Sequence, residues 1–211
     1  MTGPGFLHTS PVHPATFDRL LARRRPGVQA LHVVDEKLLV DARNHGPDAV
    51  AERVAQHLTA LVGQGATVVC CTCSTIGDTA ERARADVPVF RVDRPMAARA
   101  VRCGPRVGVV AALESTLEPT AALLRQEAES AGQEVRIEQL IADGAWGRFE
   151  DGDEPGYLAS VVHTARRLAD DVDILILAQA SMAGAEPLLA DLAIPVLSSP
   201  GPAVQHLLGL T

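Results

Sequence analysis

Two stretches of this chain, Val68-Val69-Cys70-Cys71 and Ile174-Leu175-Ile176-Leu177, are continuously apolar. A strand with one face in water alternates apolar and polar residues; a strand covered on both faces does not. The two runs therefore predict strands sandwiched between helices in a mainly parallel sheet. Other short β-rich runs agree: Phe6–His8, Gln29–Val34, Thr67–Cys71 and Val89–Val92, then Arg106–Ala111, Val135–Leu140, Ile174–Ala178 and Pro195–Leu197. Between them lie amphipathic stretches such as Pro47–Val62, Pro119–Ala131 and Leu158–Leu168. Strands alternating with helices indicate βαβ units and an α/β fold.

The chain also repeats itself. Gly3-Pro4-Gly5-Phe6-Leu7 echoes Gly104-Pro105-Arg106-Val107-Gly108, and Thr67–Cys73 echoes Ile174–Ala180. Val87-Pro88-Val89-Phe90 echoes Ile194-Pro195-Val196-Leu197. The offset, about 101 to 107 residues, is too long for a solenoid. It suits two pseudo-repeated α/β/α domains, residues 1–102 and 103–199, with a short, mainly parallel sheet in each and an active-site cleft between them. The boundary falls near Arg102–Pro105 on this reading.

Charge and cysteine usage narrow the class. The formal net charge is −7, which argues against nucleic acid or an anionic membrane as a partner. It leaves room for a small anionic substrate, which needs only a few local donors. No stretch approaches the roughly 18 apolar residues of a transmembrane helix. The first residues lack the charged and apolar regions of a signal peptide, so a cytoplasmic location is expected. Cys70, Cys71, Cys73 and Cys103 do not form a disulfide framework, and no second Cys/His pair has zinc spacing, so no metal is expected. Cys70 and Cys71 read as buried core thiols. Cys73 stands beyond its strand and does not.

Ligands of open parallel sheets bind beyond the carboxyl ends of the strands. The residues there are His8-Thr9-Ser10, Thr72-Cys73-Ser74-Thr75, Leu113-Glu114-Ser115-Thr116, Gln179-Ala180-Ser181-Met182 and Ser198-Ser199-Pro200. Both halves thus present small hydroxyls and backbone N–H groups, the donors of an anion site. Any one of these hydroxyls could equally be an ordinary helix cap; their convergence is what points to a ligand. Cys73 precedes a helix expected over Asp78–Ala85, where the positive end of the helix dipole favours a thiolate base or nucleophile.

Cys73-Ser74-Thr75 after a strand resembles the Cys-Asn-Thr signature of the aspartate/glutamate racemase superfamily, and the likeness spans nearly the whole chain. Thr72-Cys73-Ser74-Thr75-Ile76-Gly77, Arg91-Val92-Asp93-Arg94-Pro95-Met96 and Leu177-Ala178-Gln179-Ala180-Ser181-Met182 are similar to one branch of it. That superfamily includes amino-acid and hydantoin racemases, maleate isomerase and arylmalonate decarboxylase. The resemblance implies a cofactor-independent enzyme acting on a small carboxylate carbon acid, with Cys73 as acid/base or nucleophile. It implies Thr9, Ser74, Thr75, Ser115, Thr116, Ala180 and Ser181 as substrate-binding positions. It further implies a homodimer, and a helix at about 200–211 packed back on the first half.

One departure stands out. Racemases of the superfamily carry a second cysteine in the second domain, and the echo of Thr67–Cys73 puts Ala180 at that position. One thiol does not supply two-faced racemisation. Isomerase or racemase chemistry is the family-level expectation; decarboxylase or lyase chemistry and a non-catalytic carboxylate-binding protein are the alternatives. His8, Asp35, Glu36 and Glu114 are candidates for a second base. The basic run Arg23-Arg24-Arg25 before Pro26-Gly27 reads as a helix C-terminus. Gly144–Tyr157, with the one Trp and the one Tyr of the chain, reads either as a lid or as a surface loop or loosely held helix start.

Overall fold

In the computed structural model, which describes residues 2–211, the chain divides into two units of the same construction. The first comprises residues up to Val92 together with Pro200–Thr211; the second is Asp93–Ser199. The first contains β1 (Gly3–His8), α1 (His13–Arg24), β2 (Leu31–Val34), α2 (Glu36–His45), α3 (Ala51–Gly63), β3 (Ala66–Cys71), α4 (Gly77–Arg82) and β4 (Val89–Arg91). The second contains α5 (Arg94–Ala100), β5 (Arg106–Ala111), α6 (Glu114–Ser130), β6 (Arg136–Ile141), α7 (Ala145–Glu150), α8 (Glu154–Leu168), β7 (Ile174–Leu177) and β8 (Val196–Ser198). A 3₁₀ stretch, Ala180–Leu189, links β7 to β8, and α9 (Pro200–Leu210) returns to the first unit.

The internal repeat is visible in the topology. The sheet orders are β2-β1-β3-β4 and β6-β5-β7-β8, and all six pairings are parallel. The two continuously apolar runs occupy β3 and β7, inner strands of their sheets. Successive side chains on a strand point to opposite faces, so both faces of β3 need apolar cover. Val68 and Cys70 pack with Phe6, Phe17, Phe90 and Val204 on the α1/α9 side. Val69 and Cys71 pack with Leu7, Leu38, Val54 and Leu58 on the α2/α3 side. In the second unit Ile174 and Ile176 face Met96, Leu123 and Leu124, whereas Leu175 and Leu177 face Tyr157, Val161 and Met182. Each large apolar side chain taken wholly out of water contributes about 1.5–3 kcal/mol.

Several local expectations change. Residues 93–101 belong with the second unit, because Met96, Ala97, Ala100 and Val101 of the α5 segment pack on Val107 and Val109. The amphipathic stretch from Pro47 is a 3₁₀ turn followed by α3. The helix expected over Asp78–Ala85 is the shorter α4. Gly144–Tyr157 forms α7 and the start of α8, in keeping with the reading as a helix start. Its Trp146, Phe149 and Tyr157 rings pack one on the next in tilted pairs, with centroids 5.0 and 5.3 Å apart, and Tyr157 is buried in the core. No helix among the described residues is long and apolar enough to cross a membrane.

Candidate active site

Each sheet brings part of the expected site to its carboxyl edge. In the first unit β1 and β3 are neighbours, paired Phe6 to Cys70 and Leu7 to Cys71. The Thr72 amide continues the ladder by donating to the Leu7 carbonyl at 2.9 Å. This brings Thr9, just past β1, close to the loop Cys73-Ser74-Thr75, and all four residues are buried. Alternation along the strand puts Cys73 on the Cys71 side, among Leu7, Leu38, Val50 and Ile76, with 8 % of its surface exposed.

The loop is held from several directions. The Cys71 thiol donates to the Cys73 carbonyl at 3.8 Å. Arg91, buried at the end of β4, donates from Nη2 to the Ser74 carbonyl at 3.2 Å. Its own amide donates to Glu81 Oε1 at 3.0 Å. Sequence reasoning missed Arg91 in this role, since a lone charge at the end of a short strand reads as surface. The Cys73 Sγ has no hydrogen-bond partner among the described residues. The helix-dipole argument for Cys73 weakens: α4 starts only at Gly77 and is six residues long, and a dipole's influence fades within a turn.

The candidate second bases separate into different roles. His8 is fully buried, and both its ring nitrogens are engaged. Nδ1 lies 2.8 Å from Thr72 Oγ1 and Nε2 lies 2.9 Å from His32 Nδ1. His32 Nε2 in turn meets Asp18 at 3.0 Å. Burial, then the nearby His13 and His32, lower the His8 pKa to about 3. His8 is thus a neutral link that steadies Thr72, beside Cys73, and not a free base. Asp35 caps α2, accepting from the Lys37 amide at 3.0 Å, and it pairs with His57 at 2.9 Å and Arg53 at 3.5 Å. Burial works to raise its pKa, but the His57 hydrogen bond and the Arg53 charge hold it below the usual carboxylate range. Glu36 and Glu114 are exposed in the first turns of α2 and α6.

In the second unit the ladder corrects the reading of the repeat. β5 pairs with β7 as Val109 to Ile176 and Val110 to Leu177. The Ala178 amide donates to the Val110 carbonyl at 2.9 Å, as Thr72 does to Leu7. Thr72 and Ala178 are therefore equivalent, and the next residues are Cys73 and Gln179. The position answering to Cys73 is Gln179, a carboxamide, and not Ala180. Comparing letters slipped by one residue because connecting loops differ in length, whereas backbone hydrogen bonds fix the register.

Gln179 Oε1 accepts from the amides of Ala112 at 2.6 Å and Leu113 at 3.3 Å. It thereby joins the loop after β7 to the one that opens α6. The Leu113 N–H, counted among the donors available to an anion, is thus used internally, as is its neighbour at Ala112. Ser115 Oγ, in the first turn of α6, is buried without a partner, and so is Ser199 Oγ after β8. Thr116 is buried beside Ser115. Ser181 meets the Tyr157 hydroxyl at 2.7 Å. Burial pushes the Tyr157 pKa up to about 12, with the Ser181 hydrogen bond acting in the other direction. Ala180 is buried at the start of the 3₁₀ stretch. No cluster of three or more His, Cys, Asp or Glu side chains that could hold a metal occurs among the described residues.

Known proteins of this architecture share the fold across the whole chain. Glutamate racemase from Francisella tularensis, solved with D-glutamate, superposes with a TM-score of 0.78 at 16 % identity, covering 99 % of this chain and 80 % of that one. Picrophilus torridus aspartate racemase gives 0.76 at 14 % identity, covering 99 % and 94 %. A sulfate-associated mutant of arylmalonate decarboxylase gives 0.67 at 20 % identity, covering 99 % and 92 %. A search of curated protein sequences finds no significant match. Residues 68–207, which include both Cys73 and Gln179, match the family model described as Asp/Glu/Hydantoin racemase. The chain belongs to the Asp/Glu/hydantoin racemase family of enzymes.

Proposed function

We propose that this enzyme binds a small carboxylate at the carboxyl ends of its strands and performs cofactor-independent carbon-acid chemistry with the thiol of Cys73. The observation that carries this reading is the loop after β3. It presents a cysteine with an unpartnered Sγ, and Arg91, Cys71 and the His8–Thr72 contact hold its flanks. A thiolate there takes the proton from the carbon next to the carboxylate. The electron pair left behind spreads into the carboxylate as an enediolate. Hydroxyls such as Thr75 and nearby N–H groups stabilise the oxygens as charge develops.

A second reading, decarboxylase or lyase chemistry, is favoured by Gln179. A carboxamide neither takes nor gives a proton near neutral pH, so two-faced racemisation lacks its second proton carrier. One thiol is enough to protonate a single face of an enediolate after loss of carbon dioxide.

The test is NMR in heavy water of the protein with a panel of small mono- and dicarboxylates, beside a Cys73→Ala control. Deuterium entering a C–H position only with intact Cys73 is the expected result. A new product resonance distinguishes decarboxylation or alkene isomerisation from exchange alone. Turnover undiminished in Cys73→Ala sinks the thiol mechanism, and ligand broadening without any exchange or product turns the reading toward a carboxylate-binding protein.

A further inference from the structure

The Gln179 side chain is held in one orientation. Backbone N–H groups can be met only by its oxygen, so the contacts to Ala112 and Leu113 assign which end of the amide is which. The planar group then directs its Nε2 away from that loop. Nε2 has no hydrogen-bond partner among the described residues, and it is not among the buried polar atoms left unsatisfied, so solvent reaches it. Two accepted N–H bonds polarise the amide and strengthen its remaining donors. Nearby in sequence to the gripped amides, Ser115 Oγ is buried without a partner. A fixed, unpaired donor therefore stands at the strand end where the first unit has its thiol.

We infer that Gln179 is a ligand-oxygen donor: its Nε2–H₂ donates to a carboxylate oxygen of the substrate. This rests on the reading that the ligand is a small carboxylate. A preorganised donor needs no rearrangement as charge grows on that oxygen. The same group moves no proton near neutral pH, so its role is to hold the oxygen and not to carry a proton.

Titration of malonate into the wild type, Gln179→Glu and Gln179→Met tests this. Glutamate retains an acceptor for the Ala112 and Leu113 amides but replaces the N–H₂ with an anionic oxygen. The expected result has three parts. Malonate shifts the Gln179 side-chain N–H₂ resonances of the wild type. The thermal midpoint of Gln179→Glu stays close to wild type. Its malonate affinity falls about tenfold or more, the size of a lost hydrogen bond to a charged group, and Gln179→Met weakens binding without the added repulsion. Equal affinity in all three proteins overturns the inference and leaves the carboxylate reading standing. A wild type that does not bind malonate overturns the inference at its premise. Should both variants fail to fold, the wild-type side-chain resonances decide: unmoved at saturating malonate, they overturn it.

Discussion

The α-carbon of Gly77 lies against the side chain of Arg91 so closely that a Cβ there would stand 2.7 Å from the Arg91 Cβ and 2.9 Å from its Nε. Gly77 begins α4 and Arg91 ends β4, so this contact closes the loop that carries Cys73 from its far side. The backbone of Gly77 has no positive φ; the position needs space and not conformational freedom. Gly77→Ala therefore displaces the guanidinium that holds the Ser74 carbonyl. The expected cost is about 1–3 kcal/mol, as for overpacking elsewhere, read from urea unfolding. In an Arg91→Ala background the same substitution should cost less, because the clashing side chain is gone. Equal costs in both backgrounds would show that the contact does not constrain the loop.

His8 and His13 make the first unit sensitive to mild acid. Burial holds their pKa values at about 3 and about 4, against 6.5 for an ordinary imidazole, with His13 and His32 adding to the effect at His8. Between those limits the unfolded chain binds protons that the folded chain refuses. Stability is present in full above about pH 6.5 and declines as pH falls, at up to ~1.4 kcal/mol per pH step for each histidine. Urea midpoints measured from pH 7 to 5 should fall with a slope approaching two protons. His8→Gln should reduce that slope by about one. An unchanged slope would mean that His8 is protonated in the folded protein.

The four thiols should react in an order set by their surroundings. Cys103 is exposed at the end of the α5 segment, Cys73 is nearly closed off, and Cys70 and Cys71 are fully buried in β3. Iodoacetamide followed by peptide mass spectrometry should find Cys103 modified first and Cys73 next. Cys70 and Cys71 should react only in denaturant, since reaction needs access to the sulfur. Early modification of Cys71 would contradict its contact with the Cys73 carbonyl.

Patterns of burial were readable from the letters; patterns of pairing were not. Val68–Cys71 and Ile174–Leu177 announce strands covered on both faces because apolar cover leaves an unbroken run. Cys73 stands out in the letters because it falls two residues past such a run, although the fold packs it with Leu7, Leu38 and Ile76. Gln179 carries no comparable mark, and only the backbone ladder shows that it answers to Cys73. Asp35 is a candidate base by its place at a strand end, yet Asp35-Glu36-Lys37 is also the start signal of a helix. That signal, weighed against the polar character of 36–45, would have found α2. Arg91 and His32 owe their roles to partners distant in the chain, Ser74 and His8, and no local spacing encodes such meetings.

The return of α9 to the first unit has a consequence for synthesis on the ribosome. Ala203, Val204 and Leu207 cover Phe6, Val68 and Phe90, yet they are made after the whole of Asp93–Ser199. The nascent first sheet waits with one face incompletely covered while the second unit is translated and folds. At about 5–20 residues per second that interval lasts on the order of 5–20 s. During it the aromatic face around Phe6 and Phe90 is available to chaperones and to neighbouring nascent chains.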